Sequence, residues 1–186
     1  ITPSNVGKLK RAWTYHIGKV AAPEFSSPTM EGTPLVAGGR MFTCSGMGKV
    51  VALDPETGKE LWAYHHGADT AGQYLLNCRG LAHHAQPDGA AGACPARVFA
   101  GTLDGHLLAL DAATGKLCED FGDKGSLNLA LGLGEVQTGD FWVSSPPVVI
   151  GDKVIFGGSM ADNARVDMPP GLIRAVDVRT GALVWA

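Results

Sequence analysis

The chain has 186 residues, a length suited to one domain, and 45% hydrophobic against 18% charged residues excludes disorder. A net charge of −3, from 15 Lys and Arg against 18 acids, forms no basic stripe and gives nucleic-acid binding no support. No apolar run approaches the roughly 18 residues of a membrane helix, while 26 glycines and 11 prolines suit a turn-rich all-β protein.

The start, Ile1-Thr2-Pro3-Ser4, is polar and ready for a turn, with no signal-peptide pattern. Residues 1–23 then read as a strand that ends in the aromatics Trp13 and Tyr15, the last strand of a sheet begun upstream. Residues 32–64 predict four short strands, at 33–36, 41–44, 50–53 and 60–64, with Gly38-Gly39 and Gly46-Met47-Gly48 between them. Short apolar runs separated by glycine turns make an antiparallel meander.

Residues 65–96 hold Gly67, Gly72, Gly80, Gly89, Gly92, Pro87 and four histidines, and read as a long loop. Such loops often carry function. Strands return at 97–101 and 106–110, joined by Asp104-Gly105. Residues 122–143 are a second glycine-rich excursion. The last unit has strands at 147–150, 154–158 and 172–176, with a polar loop at 159–170.

One frame organises these runs. Ala52-Leu53-Asp54-Pro55-Glu56-Thr57-Gly58 returns as Ala109-Leu110-Asp111-Ala112-Ala113-Thr114-Gly115 and as Ala175-Val176-Asp177-Val178-Arg179-Thr180-Gly181. An apolar strand ends, Asp caps a turn through backbone N–H groups just ahead of it, and Gly reverses the chain. Trp62 and Trp185 follow the first and third copies at one position, where a large ring can dock on the neighbouring unit. In the second copy Glu119 stands there, with Phe121 nearby as a substitute. A repeat of this size means propeller blades or a solenoid, and four strands make one blade. The expected fold is all-β, a β-propeller piece of about three blades, with units at 24–64, 81–121 and 144–186. Three blades cannot close a ring, and the chain ends inside the third repeat, so it reads as part of something longer with exposed sheet edges.

Cysteines stand at 44, 78, 94 and 118, none as C-x-x-C, which weakens zinc, thioredoxin and haem readings. Cys78 and Cys94 bracket a loop and are the candidate pair if disulfides form, with four buried thiols as the alternative. His65-His66 and His83-His84 are adjacent pairs. Neighbours on a strand point to opposite faces, so each pair is poorly placed to share one ion, and all four read as loop histidines.

The frame, continued as Ala-x-Asp-x-x-Thr-Gly-x-x-x-Trp, resembles the tryptophan-docking motif of quinoproteins, the eight-bladed dehydrogenases that use pyrroloquinoline quinone (PQQ). Longer strings are similar to their membrane-bound glucose/quinate/shikimate branch: Ile1-Thr2-Pro3, Asn5-Val6 and Ala12-Trp13; Cys78-Arg79-Gly80; Cys94-Pro95; Gly115-Lys116-Leu117-Cys118-Glu119-Asp120-Phe121; Ser144-Ser145-Pro146-Pro147; and Ala161-Asp162-Asn163. The resemblance covers essentially the whole chain. It implies PQQ on the propeller axis beside a divalent cation, Ca2+ or Mg2+, at the periplasmic face of the bacterial inner membrane. It further implies oxidation of a sugar or cyclic polyol, glucose to gluconolactone first and quinate or shikimate next, with electrons passed to ubiquinone. Membrane attachment would come only through a segment absent from this chain.

Carried over residue by residue, the resemblance makes Arg79 the partner of a PQQ carboxylate, since a guanidinium fork binds carboxylates with charge-assisted hydrogen bonds. Glu31, in Met30-Glu31-Gly32-Thr33-Pro34, would hydrogen-bond the cofactor, and the hydroxyls of Ser144 and Ser159 would reach it. Asp162 would ligate the cation and Asn163 would add an amide oxygen, as a hard cation requires. Read alone, these are a loop arginine, a turn glutamate, strand-end serines and an Asx turn. The branch also carries a histidine a few residues before Cys-Arg-Gly, and residues 73–77 hold none. Its catalytic base lies in a later blade, beyond Ala186, so no residue here is assigned to proton abstraction and the chain alone is expected to be inactive. A scaffold propeller without catalysis shares the repeat but needs no Arg/Asp/Asn set. The branch with adjacent cysteines beside PQQ is disfavoured, because the chain has no Cys-Cys.

Overall fold

The computed structural model describes residues 1–18, 28–73, 75–87, 92–161 and 165–186. Among these the regular structure is β-strand, apart from one 3-10 turn at Val6–Lys8. No helix of the described residues is long and apolar enough to cross a membrane.

Three four-stranded antiparallel sheets follow one another along the chain. After the two-residue β1 (Thr29–Met30), the first sheet takes β2 (Leu35–Ala37), β3 (Arg40–Cys44), β4 (Lys49–Leu53) and β5 (Glu60–His65). A second short segment, β6 (Asn77–Cys78), leads into β7 (Ala82–Ala85), β8 (Ala96–Gly101), β9 (His106–Asp111) and β10 (Ser126–Asn128), the second sheet. The third follows β11 (Phe141–Trp142) and comprises β12 (Val148–Ile150), β13 (Lys153–Gly157), β15 (Ile173–Asp177) and β16 (Leu183–Trp185). Between β13 and β15, β14 (Ser159–Met160) leaves the sheet to pair with β11.

The sheets stack face to face in chain order, which is β-propeller architecture. Alternation along each strand assigns its faces. Val98, Ala100 and Leu110 of the second sheet pack with Phe42, Val50, Ala52 and Trp62 of the first. Phe99, Leu107 and Ala109, on the opposite face, pack with Val154, Phe156 and Val176 of the third. A sheet covered on both sides needs apolar residues at every position. This is why 107–110 is an unbroken Leu-Leu-Ala-Leu run, at most 1% exposed throughout.

The repeated turn is built identically three times. Asp54, Asp111 and Asp177 each accept, through Oδ1, the two backbone N–H groups ahead and the threonine hydroxyl, at 2.8–3.1 Å. Gly58, Gly115 and Gly181 close it at φ of +71°, +73° and +74°. Each glycine is also a dock. Trp13 lies on Gly58 and donates its Nε1–H to the Pro55 carbonyl at 3.1 Å. Trp62 lies on Gly115 and donates to the Ala112 carbonyl at 3.1 Å. Phe121, with no N–H to offer, lies over Gly181, and the next backbone N–H, of Gly122, reaches the Thr180 carbonyl at 2.9 Å. Phe121 thus fills the tryptophan's place. Trp185, the matching ring of the third sheet, is 43% exposed.

Four expectations need correction. Residues 1–18 carry no strand; the segment is held by its aromatic hook and by a hydrogen bond between Tyr15 and Glu60. The excursion at 122–143 contains strands, because the outer edge of β9 is filled in two pieces. Leu117 bridges Leu110, the chain then loops through Phe121, and β10 takes over opposite His106–Leu108. His83 and His84 lie in β7 and His65 ends β5, so they are strand residues. Their faces do alternate: His83 stacks on Phe42 at 6.1 Å, while His84 borders Asp152 and Arg179. Finally, the disulfides are Cys44–Cys78 and Cys94–Cys118, with Cα separations of 6.0 and 5.7 Å, and not Cys78–Cys94. Sheet packing decides this: Cys78 sits beside the end of β3, not beside the loop it precedes.

Candidate functional site

Four short segments line up where the sheets begin. β1 pairs in parallel with β6, with Thr29 opposite Asn77 and Met30 opposite Cys78. The ladder continues as Glu31 N–H donates to the Cys78 carbonyl at 3.3 Å. Arg79 N–H then donates to the Ser144 carbonyl at 2.9 Å, and Trp142 pairs with Ser159 across β11 and β14. The row therefore reads Glu31, Arg79, Ser144, Ser159, four positions that sequence motifs singled out separately.

The side chains at its head converge. Asn77 and Arg79 are two apart on an extended segment and so share a face. Both reach one oxygen of Glu31, Arg79 through Nε at 3.0 Å and Asn77 through Nδ2 at 3.2 Å. Thr29 Oγ1 donates to the other oxygen at 2.7 Å. The Thr29 hydroxyl first, then Arg79 and Asn77, hold the Glu31 carboxyl below its ordinary range, so it is an anion at neutral pH. The pair remains open, with Arg79 45% and Glu31 40% exposed. Close approach depends on Gly32: a Cβ there would lie 2.9 Å from the Arg79 carbonyl carbon. Beside Arg79, the Cys44–Cys78 bridge ties the segment to the first sheet.

Asn77 was not anticipated as a site residue. It is 1% exposed, and its Oδ1 has no hydrogen-bond partner. Its position two before Arg79 is the signal that marks it. Ser144 is buried at 3% and contributes its carbonyl to Arg79, while Ser159 is half-buried. Asp162 and Asn163, the expected cation ligands, lie outside the described residues.

The donor set fits a carboxylate-rich cofactor such as PQQ. An exposed guanidinium engages Glu31 through Nε, with its side chain still open on the same edge as a buried carboxamide oxygen that lacks a donor. Arg79 would face a carboxylate of the cofactor, and Asn77 Oδ1 would accept from an N–H or O–H group.

Comparison with known proteins gives the family. Residues 1–186 match the family model described as the PQQ glucose/ethanol/alcohol dehydrogenase β-propeller domain. The quinate/shikimate dehydrogenase (quinone) of Acinetobacter baylyi is 37% identical over all of this chain and 25% of its own length. The quinoprotein glucose dehydrogenase of Escherichia coli is 36% identical over all of this chain and 24% of its own. The solved structure of a europium-containing methanol dehydrogenase superposes with a TM-score of 0.67 at 28% identity, over the whole chain and 28% of that protein. The chain thus spans about a quarter of the length of these curated relatives. The repeated docking turn and the inner row stand in a chain matched over its whole length, and the chain belongs to the PQQ glucose/ethanol/alcohol dehydrogenase β-propeller family.

Proposed function

We propose that this chain forms part of the cofactor cradle of a PQQ-dependent dehydrogenase that oxidises a sugar or cyclic polyol and passes the electrons to ubiquinone. The observation that carries the reading is the Glu31–Asn77–Arg79 cluster on the inner row. Bound PQQ would supply the hydride acceptor. Arg79 would hold a cofactor carboxylate and neutralise it, and Glu31 would orient the guanidinium. Ser144 and Ser159 would line the cofactor's edge. Asp162 and Asn163 would offer oxygens to Ca2+ or Mg2+. No described residue is assigned to proton abstraction, which falls to the rest of the protein. The substrate class follows from relatives named for quinate or shikimate and for glucose, at level identities of 37% and 36%. Two disulfides suit an oxidising compartment, which supports the periplasmic face of the inner membrane.

The test uses the full-length protein freed of cofactor. PQQ and Ca2+ are added back, and binding is followed by absorbance and reduction of a ubiquinone analogue, with glucose and with quinate as substrates. Arg79→Ala should weaken PQQ binding about 10- to 100-fold, the worth of one hydrogen bond to a charged group. Unchanged affinity in that variant would remove Arg79 from the cradle. A wild-type protein that takes up no PQQ would defeat the proposal.

A further inference from the structure

The second sheet and the end of the first bring together three groups that the cofactor cradle does not use. His66 follows β5, Asp104 sits in the β8–β9 turn, and His106 opens β9. His66 Nε2 lies 3.2 Å from each Asp104 oxygen, and His106 Nδ1 lies 3.4 Å from Oδ1. One ligand atom from each residue falls within 4.8 Å of the other two, the one such group of three among the described residues. The imidazoles are tilted at 54° with centroids 5.7 Å apart, so they converge instead of stacking.

We propose that His66, Asp104 and His106 form a binding site for a divalent transition-metal ion of the Zn2+ class. A tetrahedral ion with bonds of about 2.0–2.1 Å places its ligand atoms about 3.3 Å apart. The observed N···O separations of 3.2 and 3.4 Å match that edge. Two imidazoles and a carboxylate suit Zn2+, Co2+ or Ni2+ and not Ca2+ or Mg2+, which prefer all-oxygen sets. The carboxylate is oriented from behind, because Thr102 Oγ1 donates to Asp104 Oδ1 at 2.5 Å. Such outer-shell partners are a regular part of metal sites.

A second observation points the same way. Asp104 and His106 form one wall of a cavity of about 250 Å3, and Gln73 lines it too. Gln73 is 7% exposed; its amide nitrogen donates to the Leu103 carbonyl, and its Oε1 has no partner. A buried acceptor without a donor, on the cavity that Asp104 and His106 also line, fits a metal-bound water in the open fourth position. Such a water would have room here and would find an acceptor in Gln73.

The test takes the full-length protein, stripped of transition metals by a chelator and held in excess Ca2+ so that oxygen-type sites are filled. Co2+ is titrated in, and its visible ligand-field bands report tetrahedral nitrogen and oxygen ligation. The wild type should bind one Co2+ per chain, and Zn2+ should displace it. His66→Gln and His106→Gln should each weaken binding more than about 100-fold. Thr102→Val, which removes the hydroxyl that donates to Asp104 and accepts the His106 N–H, should weaken it about 10-fold. Zn2+ should raise the melting temperature of the wild type and not of the two histidine variants. Absence of the bands from the wild type would overturn the site without reliance on any variant. Equal Co2+ binding in the wild type and in both histidine variants would overturn it as well.

Discussion

The interlock between sheets can be isolated with two alanines. Gly115 and Gly39 share a backbone conformation, at φ of +73° and +72°. They differ in what a Cβ would meet: at Gly39 nothing lies within 4 Å, while at Gly115 the Trp62 ring carbons stand at 2.5 and 2.6 Å. Gly39→Ala should therefore cost only the left-handed strain, about 1–2 kcal/mol, less about 0.5 kcal/mol for the stiffer unfolded chain. Gly115→Ala carries the same strain and must also displace a ring that is 8% exposed. Displacement costs about 1–3 kcal/mol for overpacking and about 1 kcal/mol for the hydrogen bond to the Ala112 carbonyl. The difference between the variants is about 2–4 kcal/mol. At about 2–4 °C per kcal/mol for a unit of this size, Gly115→Ala should melt roughly 4–16 °C below Gly39→Ala. Circular dichroism melts of both variants in one buffer decide it. Coincident melts would refute the claim that the ring is seated tightly on the turn.

The disulfides give a second prediction. Cys44–Cys78 closes 34 residues and Cys94–Cys118 closes 24. In the chain-entropy account their removal, as paired Cys→Ser variants, should cost about 3.8 and about 3.4 kcal/mol respectively, read as loss of denaturant midpoint. Acid titration gives a third. Burial pushes the Asp177 carboxyl up, but Arg179 and the backbone and hydroxyl of Thr180 outweigh it and bring it from 3.8 down to about 2. A depressed carboxylate stabilises the fold fully above its unfolded value. That part of the stability should drain as pH falls from about 4 toward 2, and Asp177→Asn should flatten this stretch of a melting-temperature profile.

Local chemistry made much of this fold readable in advance. Asp-x-x-Thr-Gly specifies a turn within seven residues, so all three turns and the strands on either side could be placed. Phe121 could be nominated because it lies near the vacant aromatic position. The features that escaped depended on distant partners. Ser126–Asn128 has little strand character of its own and becomes β10 only because β9 presents a free edge there. The cysteine pairing follows from which sheets touch, not from which loop a cysteine flanks. The parity argument for His65 and His66 compares only neighbours on one strand. His66 meets Asp104 from another sheet, 38 residues on. At the proposed cradle, the Cys-Arg-Gly and Met-Glu-Gly strings marked Arg79 and Glu31, while their mutual pairing and the bond from Asn77 to Glu31 required the parallel β1–β6 contact.

The ring-on-glycine hook has an evolutionary corollary. Each sheet takes its position from a neighbour's turn and not from the length of backbone that precedes it, so spacing errors do not accumulate around the wheel. Insertions between sheets, such as the stretch between β10 and β12, can grow or shrink without re-aiming the sheets downstream. The outer connections are thereby free to change in length while the inner row of Glu31, Arg79 and Ser144 keeps its alignment.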